Sequence, residues 1–221
     1  VFSAFAARKT VVRTGIEVLE ERGFAGLVGK RVGLVTNPSG IDRNLRSTID
    51  ILNEAPGVEL VTLFAPEHGV RGDAYAGDKV ADTVDPKTGV KVYSVYGKYR
   101  MPSQEMLDGL DVVVYDIQDV GTRSYTFIST LGLMMRACAM KGIEVMVLDR
   151  CNVETGFYSF VSEFSIPYIY GLTVGELAIM INEEGLCRGE RGYESPLKCK
   201  LSVIPMDGWR RNMTYVETGL P

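Results

Sequence analysis

The sequence predicts a doubly wound α/β domain, a Rossmann-like and mostly parallel sheet with helices on both faces. Three observations predict it. Apolar runs of strand length alternate with stretches of helical periodicity. The run from Val112 to Tyr115 is apolar at every position, which is typical of a parallel strand covered on both faces. Polar side chains such as Asp149 directly follow apolar runs, and ligands of open α/β sheets bind beyond the carboxyl ends of the strands.

In chain order, the first third predicts a β-α-β unit preceded by a helix. The predicted elements are a helix over residues 14–23, a strand over 31–36, a helix over 45–53 and a strand over 58–64. Turn-forming residues at 37–40 end the first strand. A right-handed unit makes the two strands parallel, so Asn37 and Glu67 are expected at the same edge of the sheet.

The remaining sequence continues the alternation. It predicts a mobile loop over 69–82, a strand over 90–95, a short helix over 103–107, a strand within 111–119, a helix over 122–140, a strand over 143–148, a helix over 173–184 and a strand over 198–204. Thr173 and Glu176 have the spacing of a capping box, so a structural role for Glu176 is favoured over catalysis.

Composition limits the classes of partner. The 221 residues are 46% hydrophobic and carry a net charge of −4, so a substantial core is expected and no basic surface for nucleic acid is. No run approaches the ~18 apolar residues of a membrane span. We expect residues 14–221 to form one Rossmann-like catalytic domain. Residues 1–13 are expected to be an N-terminal extension or the remnant of a secretory leader, because Ala4-Phe5-Ala6 has the form of a cleavage site.

The stretch from Phe64 to Gly72 is the principal candidate for chemistry. An apolar strand stops at Pro66 and delivers Glu67, the single histidine His68 and Arg71 into a glycine-flanked loop. Ionisable groups at a strand end have more functional weight than the same groups on a helix surface. We therefore interpret this stretch as the catalytic loop of a hydrolase.

Familiar cofactor motifs are absent from the sequence. Neither G-x-G-x-x-G after the first strand nor G-x-x-x-x-G-K-[ST] occurs, which argues against nicotinamide and ATP, and no G-x-S-x-G nucleophile elbow occurs. One histidine and four scattered cysteines do not predict a zinc site. The cysteines are interpreted as small buried hydrophobes, although Cys187 and Cys199 could form a bridge in an oxidising compartment.

The groups at the predicted strand ends that could take part in a reaction are mainly carboxylates. Acid-assisted cleavage of a glycosidic bond needs a protonated carboxyl group and usually a second carboxylate. For any single acid, helix capping or a solvated salt bridge is an equally good interpretation. The catalytic candidates are Glu67, His68 and Asp116, and the substrate-binding candidates are Asn37, Arg71, Gln118, Asp119, Arg123, Tyr125, Asp149, Arg150 and Asn152.

Six motifs in order resemble one family, the bacterial exo-β-N-acetylmuramidases. They are the segments 29–40, 66–72, 116–123, 148–152, 171–177 and 217–221. The resemblance implies hydrolysis of a non-reducing terminal N-acetylmuramic acid from muropeptides or disaccharides of peptidoglycan. It also implies a secreted or periplasmic protein, which includes a lipoprotein, and no requirement for a metal or nucleotide. By motif, Glu67 would be the general acid/base, with His68 adjusting its protonation.

The resemblance further implies that Arg71, Arg123 or Arg150 pairs with the lactyl carboxylate of the sugar. Two features depart from the family pattern. Cys151 stands where the family has proline and is followed by a shortened loop, and the family continues beyond Gly219-Leu220-Pro221 into a second domain. Two other classes therefore stay open, a catalytically inactive muropeptide- or sugar-binding module and, less favoured, a cofactor-using oxidoreductase.

Overall fold

A parallel sheet lies at the centre of the chain. The computed structural model describes residues 11–72, 82–97, 100–122, 125–151, 169–185 and 197–221. Its strands are β1 (Arg31–Thr36), β2 (Glu59–Ala65), β3 (Thr83–Val84), β4 (Lys91–Ser94), β5 (Val112–Asp116), β6 (Glu144–Leu148) and β7 (Lys200–Ile204). Its helices are α1 (Gly15–Glu21), α2 (Thr48–Glu54), α3 (Thr126–Lys141), α4 (Val174–Glu184) and α5 (Tyr215–Thr218), with a 3-10 turn at Glu105–Leu107.

The strand order confirms the predicted fold class. The sheet runs β3-β4-β2-β1-β5-β6-β7, and every neighbouring pair is parallel except β3 with β4. Counted along the chain, the parallel strands have the spatial order 3-2-1-4-5-6 of the Rossmann fold. The order reverses between β1 and β5, where a ligand crevice is expected at the carboxyl edge.

Helices cover both faces of this sheet. On β5, Val113 and Tyr115 belong to the hydrophobic cluster that includes α3 and α4, whereas Val112 and Val114 belong to the cluster that includes α1 and α2. All four side chains are fully buried. The unbroken apolar run therefore reflects burial on both sides, as the sequence predicted.

Two helices begin later than predicted. Leu45 has the spacing of a helical core residue, but its backbone is left-handed (φ +63°) and its side chain is 66% exposed. Asp42 accepts hydrogen bonds from the backbone of Asn44 and Arg46, and this turn ends only where Ser47 caps α2. The predicted start of α3 at residue 122 is also wrong, because the helix begins at Thr126. The two-residue strand β3 and the four-residue helix α5 were not predicted.

The other sequence-based expectations have mixed outcomes. Cys138, Cys151 and Cys199 are buried free thiols, which confirms their interpretation as buried residues. The proposed bridging partner Cys187, the leader-like residues 1–7 and loop residues 73–81 lie outside the described residues. None of the helices in the described ranges combines the length and hydropathy needed to cross a membrane.

Gly15 allows α1 to begin directly against the end of β6. Its amide donates to the carbonyl of Asp149 at 2.9 Å, and a Cβ atom would lie 2.6 Å from the carbonyl carbon of Leu148. We expect Gly15→Ala to lower the free energy of unfolding by about 1–3 kcal/mol, because backbone must shift. Urea denaturation measures this. Gly171→Ala is the control, since a Cβ atom there meets nothing within 4 Å; equal losses in both variants would contradict the packing argument.

Candidate active site

Glu67 lies at the carboxyl edge of the sheet, two residues beyond the end of β2. One carboxylate oxygen accepts a hydrogen bond from the hydroxyl of Tyr96 at 2.9 Å, and the other accepts one from the hydroxyl of Thr126 at 2.9 Å. Tyr96 follows β4, whereas Thr126 is the first residue of α3, which follows β5. The carboxylate is therefore held from both sides of the point where the strand order reverses.

The turn that carries Glu67 has an unusual backbone. His68 adopts a left-handed conformation (φ +75°), followed by Gly69 at φ +78°. The amide of Gly69 donates to the carbonyl of Pro66 at 3.1 Å and closes the turn. Left-handed backbone is costly for a residue with a Cβ atom, and such conformations concentrate at functional sites. This observation favours a functional role for the turn.

Tyr96 is itself fixed by the end of β4. The Ser94 hydroxyl donates to the carbonyl of Tyr96 at 2.9 Å and accepts from its amide at 3.3 Å. The hydrogen bond to Glu67, together with burial and the negative charge of that carboxylate, raises the pKa of the Tyr96 phenol. Tyr96 therefore remains a hydrogen-bond donor to Glu67 at neutral pH.

Asp116 is engaged in a buried ion pair. Its fully buried carboxylate accepts from Arg150 Nε at 2.6 Å and Nη2 at 3.0 Å, and also from the hydroxyl of Thr48. Burial acts to lower the pKa of Arg150, but the charge of Asp116 outweighs it and the pKa is raised. Arg150 also donates to the carbonyl of Ile41 at 2.7 Å. This geometry favours a structural role for both members of the pair.

Asp149 anchors the start of α4. Its carboxylate accepts from the amide of Gly175 at 2.8 Å and from the hydroxyl of Thr173 at 3.0 Å. Burial raises the pKa of this carboxyl group, against the effect of these hydrogen bonds. The predicted capping box is confirmed, since the Glu176 carboxylate accepts from the amide of Thr173 at 2.9 Å.

Asp119 anchors the loop after β5. Its fully buried carboxylate accepts from the hydroxyl of Tyr170 and from the amide of Gly121 at 3.2 Å. Burial, with the charge of Asp119, raises the pKa of Tyr170. Together with the bond from the Tyr170 amide to the Gly121 carbonyl, these contacts join the loop to the segment before α4.

Asn37 and Gln118 join the exits of the two central strands. The Asn37 side-chain oxygen accepts from the amide of Ser39 at 2.9 Å and from its hydroxyl, and that hydroxyl accepts from the amide of Gln118 at 2.9 Å. The Gln118 side chain in turn donates to the carbonyl of Cys151. Both predicted substrate ligands thus connect loops to one another.

Arg71 is held by two carboxylates. It forms a two-pronged ion pair with Asp85 at 2.7 and 2.9 Å, contacts Asp50 at 3.0 Å and donates to the Ser47 hydroxyl at 3.2 Å. The guanidinium group holds the pKa of Asp85 at about 2. These contacts attach the loop after β2 to the start of α2.

Tyr125 differs from the buried candidates because 45% of its surface is exposed. It directly precedes Thr126 in the chain. Arg123 and Asn152 lie outside the described residues. Of the predicted residues that the structure describes, Glu67 contacts Thr126 and Tyr125 precedes it in the chain, while the buried acids hold the edge of the sheet together.

Sequence reasoning missed the two hydroxyl donors to Glu67. Tyr96 follows β4 just as Glu67 follows β2, so applying the strand-end rule to uncharged polar residues would have found it. Thr126 had no comparable signal, since it was placed inside a predicted helix. Within the described ranges, no three His, Cys, Asp or Glu side chains are grouped as metal ligands.

Comparison with known proteins gives consistent matches. A family model described as "Exo-beta-N-acetylmuramidase NamZ, N-terminal" matches residues 32–221. The chain is 45% identical over 226 aligned residues to the peptidoglycan β-N-acetylmuramidase NamZ of Bacillus subtilis (strain 168), an alignment covering 97% of this chain and 52% of that protein.

Two crystal structures of DUF1343 family proteins from Bacteroides fragilis also match. One has 52% identity and a TM-score of 0.82, covering 97% of this chain and 54% of that one. The other has 31% identity and a TM-score of 0.74, covering 92% of this chain and 54% of that one. The chain thus spans about half the length of each of these relatives.

The Arg71–Asp85 pair predicts an acid-dependent loss of stability. The folded-state pKa of Asp85, about 2, lies below its ordinary value of 3.8, so the pair stabilises the fold above pH ~3.8 and the stabilisation is lost as the pH falls toward 2. We expect Asp85→Asn to lower the free energy of unfolding by about 2 kcal/mol at pH 7, and by much less at pH 2. Urea denaturation at both pH values measures this. The control is Asp108→Asn, whose carboxylate is 70% exposed; a pH-independent difference for Asp85→Asn would contradict the assignment.

The contact between Tyr96 and Glu67 predicts a change in phenol titration. In Glu67→Gln, loss of the negative charge should lower the pKa of Tyr96 toward its ordinary value of 10.0. NMR of tyrosines labelled at Cζ follows the titration. Glu59→Gln, an exposed change at the opposite end of β2, should leave Tyr96 unaffected. An identical Tyr96 midpoint in wild type and Glu67→Gln would exclude the contact.

Proposed function

The chain belongs to the NamZ family of exo-β-N-acetylmuramidases, and on that premise we propose that it forms the catalytic part of a glycoside hydrolase. The proposed reaction removes the non-reducing terminal N-acetylmuramic acid from peptidoglycan fragments. Because peptidoglycan lies outside the cytoplasmic membrane, we propose that the protein acts there as a secreted or periplasmic enzyme. Glu67 is the proposed general acid/base.

The position and partners of Glu67 support this proposal most directly. The carboxylate lies at the carboxyl edge of the sheet, beside the reversal of strand order, and its two oxygens accept from neutral hydroxyl groups. Asp116, in contrast, is fully buried and paired with Arg150. A carboxylate bonded to neutral donors can gain or lose a proton without leaving a buried cation unpaired.

The proposed chemistry follows from that arrangement. In its protonated form Glu67 donates a proton to the glycosidic oxygen as the bond from that oxygen to the anomeric carbon breaks. The hydroxyls of Tyr96 and Thr126 then stabilise the carboxylate that forms. Water adds to the anomeric carbon, and the proton that it releases returns to Glu67, which acts as base in this step. His68, next in the chain, would adjust the protonation of Glu67.

Tyr125 is a proposed contact for the sugar ring. Its exposed phenol directly precedes Thr126, the residue that donates to Glu67. Tyrosine offers an apolar ring face with a polar tip, which suits a pyranose that has C–H groups on its faces and hydroxyl groups at its edge. We therefore propose Tyr125 as part of the surface that binds the sugar.

Replacing Glu67 tests the proposal. In the intact protein, Glu67→Gln keeps the shape of the side chain but removes the transferable proton, so kcat should fall by about 100-fold or more. Release of the coloured phenol from a chromogenic aryl β-N-acetylmuramide measures turnover. Glu59→Gln, on the same strand at the opposite edge, should retain wild-type kcat.

Two outcomes would contradict the proposal in different ways. Wild-type kcat in Glu67→Gln would remove this residue from the mechanism. If the intact wild-type protein binds the muramide in calorimetric titration but releases no product, the chain is a sugar-binding module and the enzymatic proposal is wrong.

A further inference from the structure

The pairing of β2 with β4 determines where Glu67 and Tyr96 meet. In the parallel register Ala65 lies beside Ser94, and the amide of Val95 donates to the carbonyl of Ala65 at 2.9 Å. Glu67 and Tyr96 each lie two residues beyond this register pair. The sheet therefore brings the two side chains to the same level at its carboxyl edge.

Tyr96 lies beyond the end of its strand, so the strand ladder does not hold it. β4 ends at Ser94, and Gly97, directly after Tyr96, has a left-handed backbone (φ +98°) that is typical of turns. The Ser94 hydroxyl contacts both backbone polar groups of Tyr96, donating to its carbonyl at 2.9 Å and accepting from its amide at 3.3 Å. A single hydroxyl therefore fixes the backbone from which the phenol extends.

Ser94 is itself firmly held. Its side chain is only 7% exposed, and its amide donates to the carboxylate of Asp82 at 3.0 Å. Serine hydroxyls that bind nearby backbone offer the chain an alternative to regular strand pairing. The contact with Tyr96 is such a bond, and it gives the chain a defined course where β4 stops.

Several charged groups act on the contact between Tyr96 and Glu67. The hydrogen bond to Glu67, burial and the charge of that carboxylate raise the pKa of the Tyr96 phenol, whereas the charge of Arg100 acts to lower it. From the side of α3, Glu67 meets the neutral hydroxyl of Thr126. His68, next to Glu67 in the chain, is a further titratable group of this turn. Since hydrogen-bond donors favour the charged form of a carboxylate, loss of the Tyr96 donor would favour protonated Glu67.

We propose that Ser94 is a positioning residue for the reaction at Glu67. By holding the backbone of Tyr96, its hydroxyl keeps the phenol against the carboxylate, and this contact sets the pH range in which the acid stays protonated. Ser94 thus acts through Tyr96. The inference rests on the proposed muramidase function and adds how its acid/base is held.

The first test does not require turnover. In Ser94→Ala the phenol is no longer held against Glu67, so the pKa of Tyr96 should move toward its ordinary value of 10.0, as in Glu67→Gln. NMR titration of the intact protein with tyrosines labelled at Cζ measures this. Ser94→Thr retains the hydroxyl and should keep the wild-type midpoint. A wild-type Tyr96 midpoint in Ser94→Ala would overturn the inference.

The pH dependence of kcat/KM for the aryl β-N-acetylmuramide provides the second test. Its basic limb reports the group that must be protonated in the free enzyme. Tyr96→Phe removes a donor to the carboxylate and should move this limb upward by about one pH unit. Ser94→Ala should move it in the same direction. The double variant should show no larger shift than Tyr96→Phe alone, because both changes remove one contact; additive shifts would overturn the inference.

Thr218→Val is the matched control, since it also removes a buried hydroxyl with two backbone contacts. The Thr218 hydroxyl donates to the carbonyl of Tyr215 at 2.6 Å and accepts from the amide of Leu220 at 3.2 Å, but it belongs to α5. This variant should keep the wild-type Tyr96 midpoint and pH profile. If Ser94→Ala likewise changes only the thermal midpoint of unfolding, Ser94 is purely structural and the inference is wrong.

The two proposals fail in distinguishable ways. If the intact wild-type protein releases no product from the muramide, the muramidase proposal is wrong, while a lowered Tyr96 midpoint in Ser94→Ala still supports the positioning of Tyr96 against Glu67. If the wild type is active and Ser94→Ala keeps both the Tyr96 midpoint and the pH profile, only the positioning proposal is wrong.

Discussion

The ion pair between Asp116 and Arg150 determines how the carboxyl edge of the sheet is built. It joins the end of β5 to the residues just after β6, and its contacts with Thr48 and Ile41 add the connection between β1 and α2. Both charges are almost completely buried, so each depends on the other for its stability in the interior. Some of the polar groups at the strand ends therefore bind one another and fix the loops before any ligand binds; we call these groups the framework.

This framework separates the acids at the edge into different roles. The Asp149 carboxylate accepts hydrogen bonds from the residues that begin α4, and the Asp119 carboxylate accepts one from the Tyr170 hydroxyl. The oxygens of both acids therefore hold neighbouring segments in place. Glu67 differs from Asp149 and Asp119 because it is only half-buried, and it differs from Asp116 because its partners are neutral hydroxyls and not a buried cation. A carboxylate that participates in chemistry must change its charge, and this is least disruptive where no buried cation depends on it. The proposed division of labour follows from this difference in partners.

The sequence predicted the central strands β1, β2, β5 and β6 well because each contains an apolar run that is buried in the sheet, whereas the exposed two-residue strand β3 has no such run. It predicted α2 poorly because Leu45 satisfies the helical period yet occupies a left-handed turn that Asp42 stabilises. The ion-pair partners of the residues at the sheet edge could not be predicted from the sequence for a different reason. Arg71 and Asp85, or Asp116 and Arg150, are far apart in the chain, and only the folded topology decides which charges meet.

The two donors to Glu67 belong to opposite halves of the sheet, Tyr96 to the side of β4 and Thr126 to the side that follows β5. Any sliding of one half against the other would stretch one of these bonds before the other. The carboxylate would then swing toward the donor that it keeps and lose its defined orientation. The orientation of the Glu67 side chain therefore depends on the two halves of the sheet keeping their relative positions.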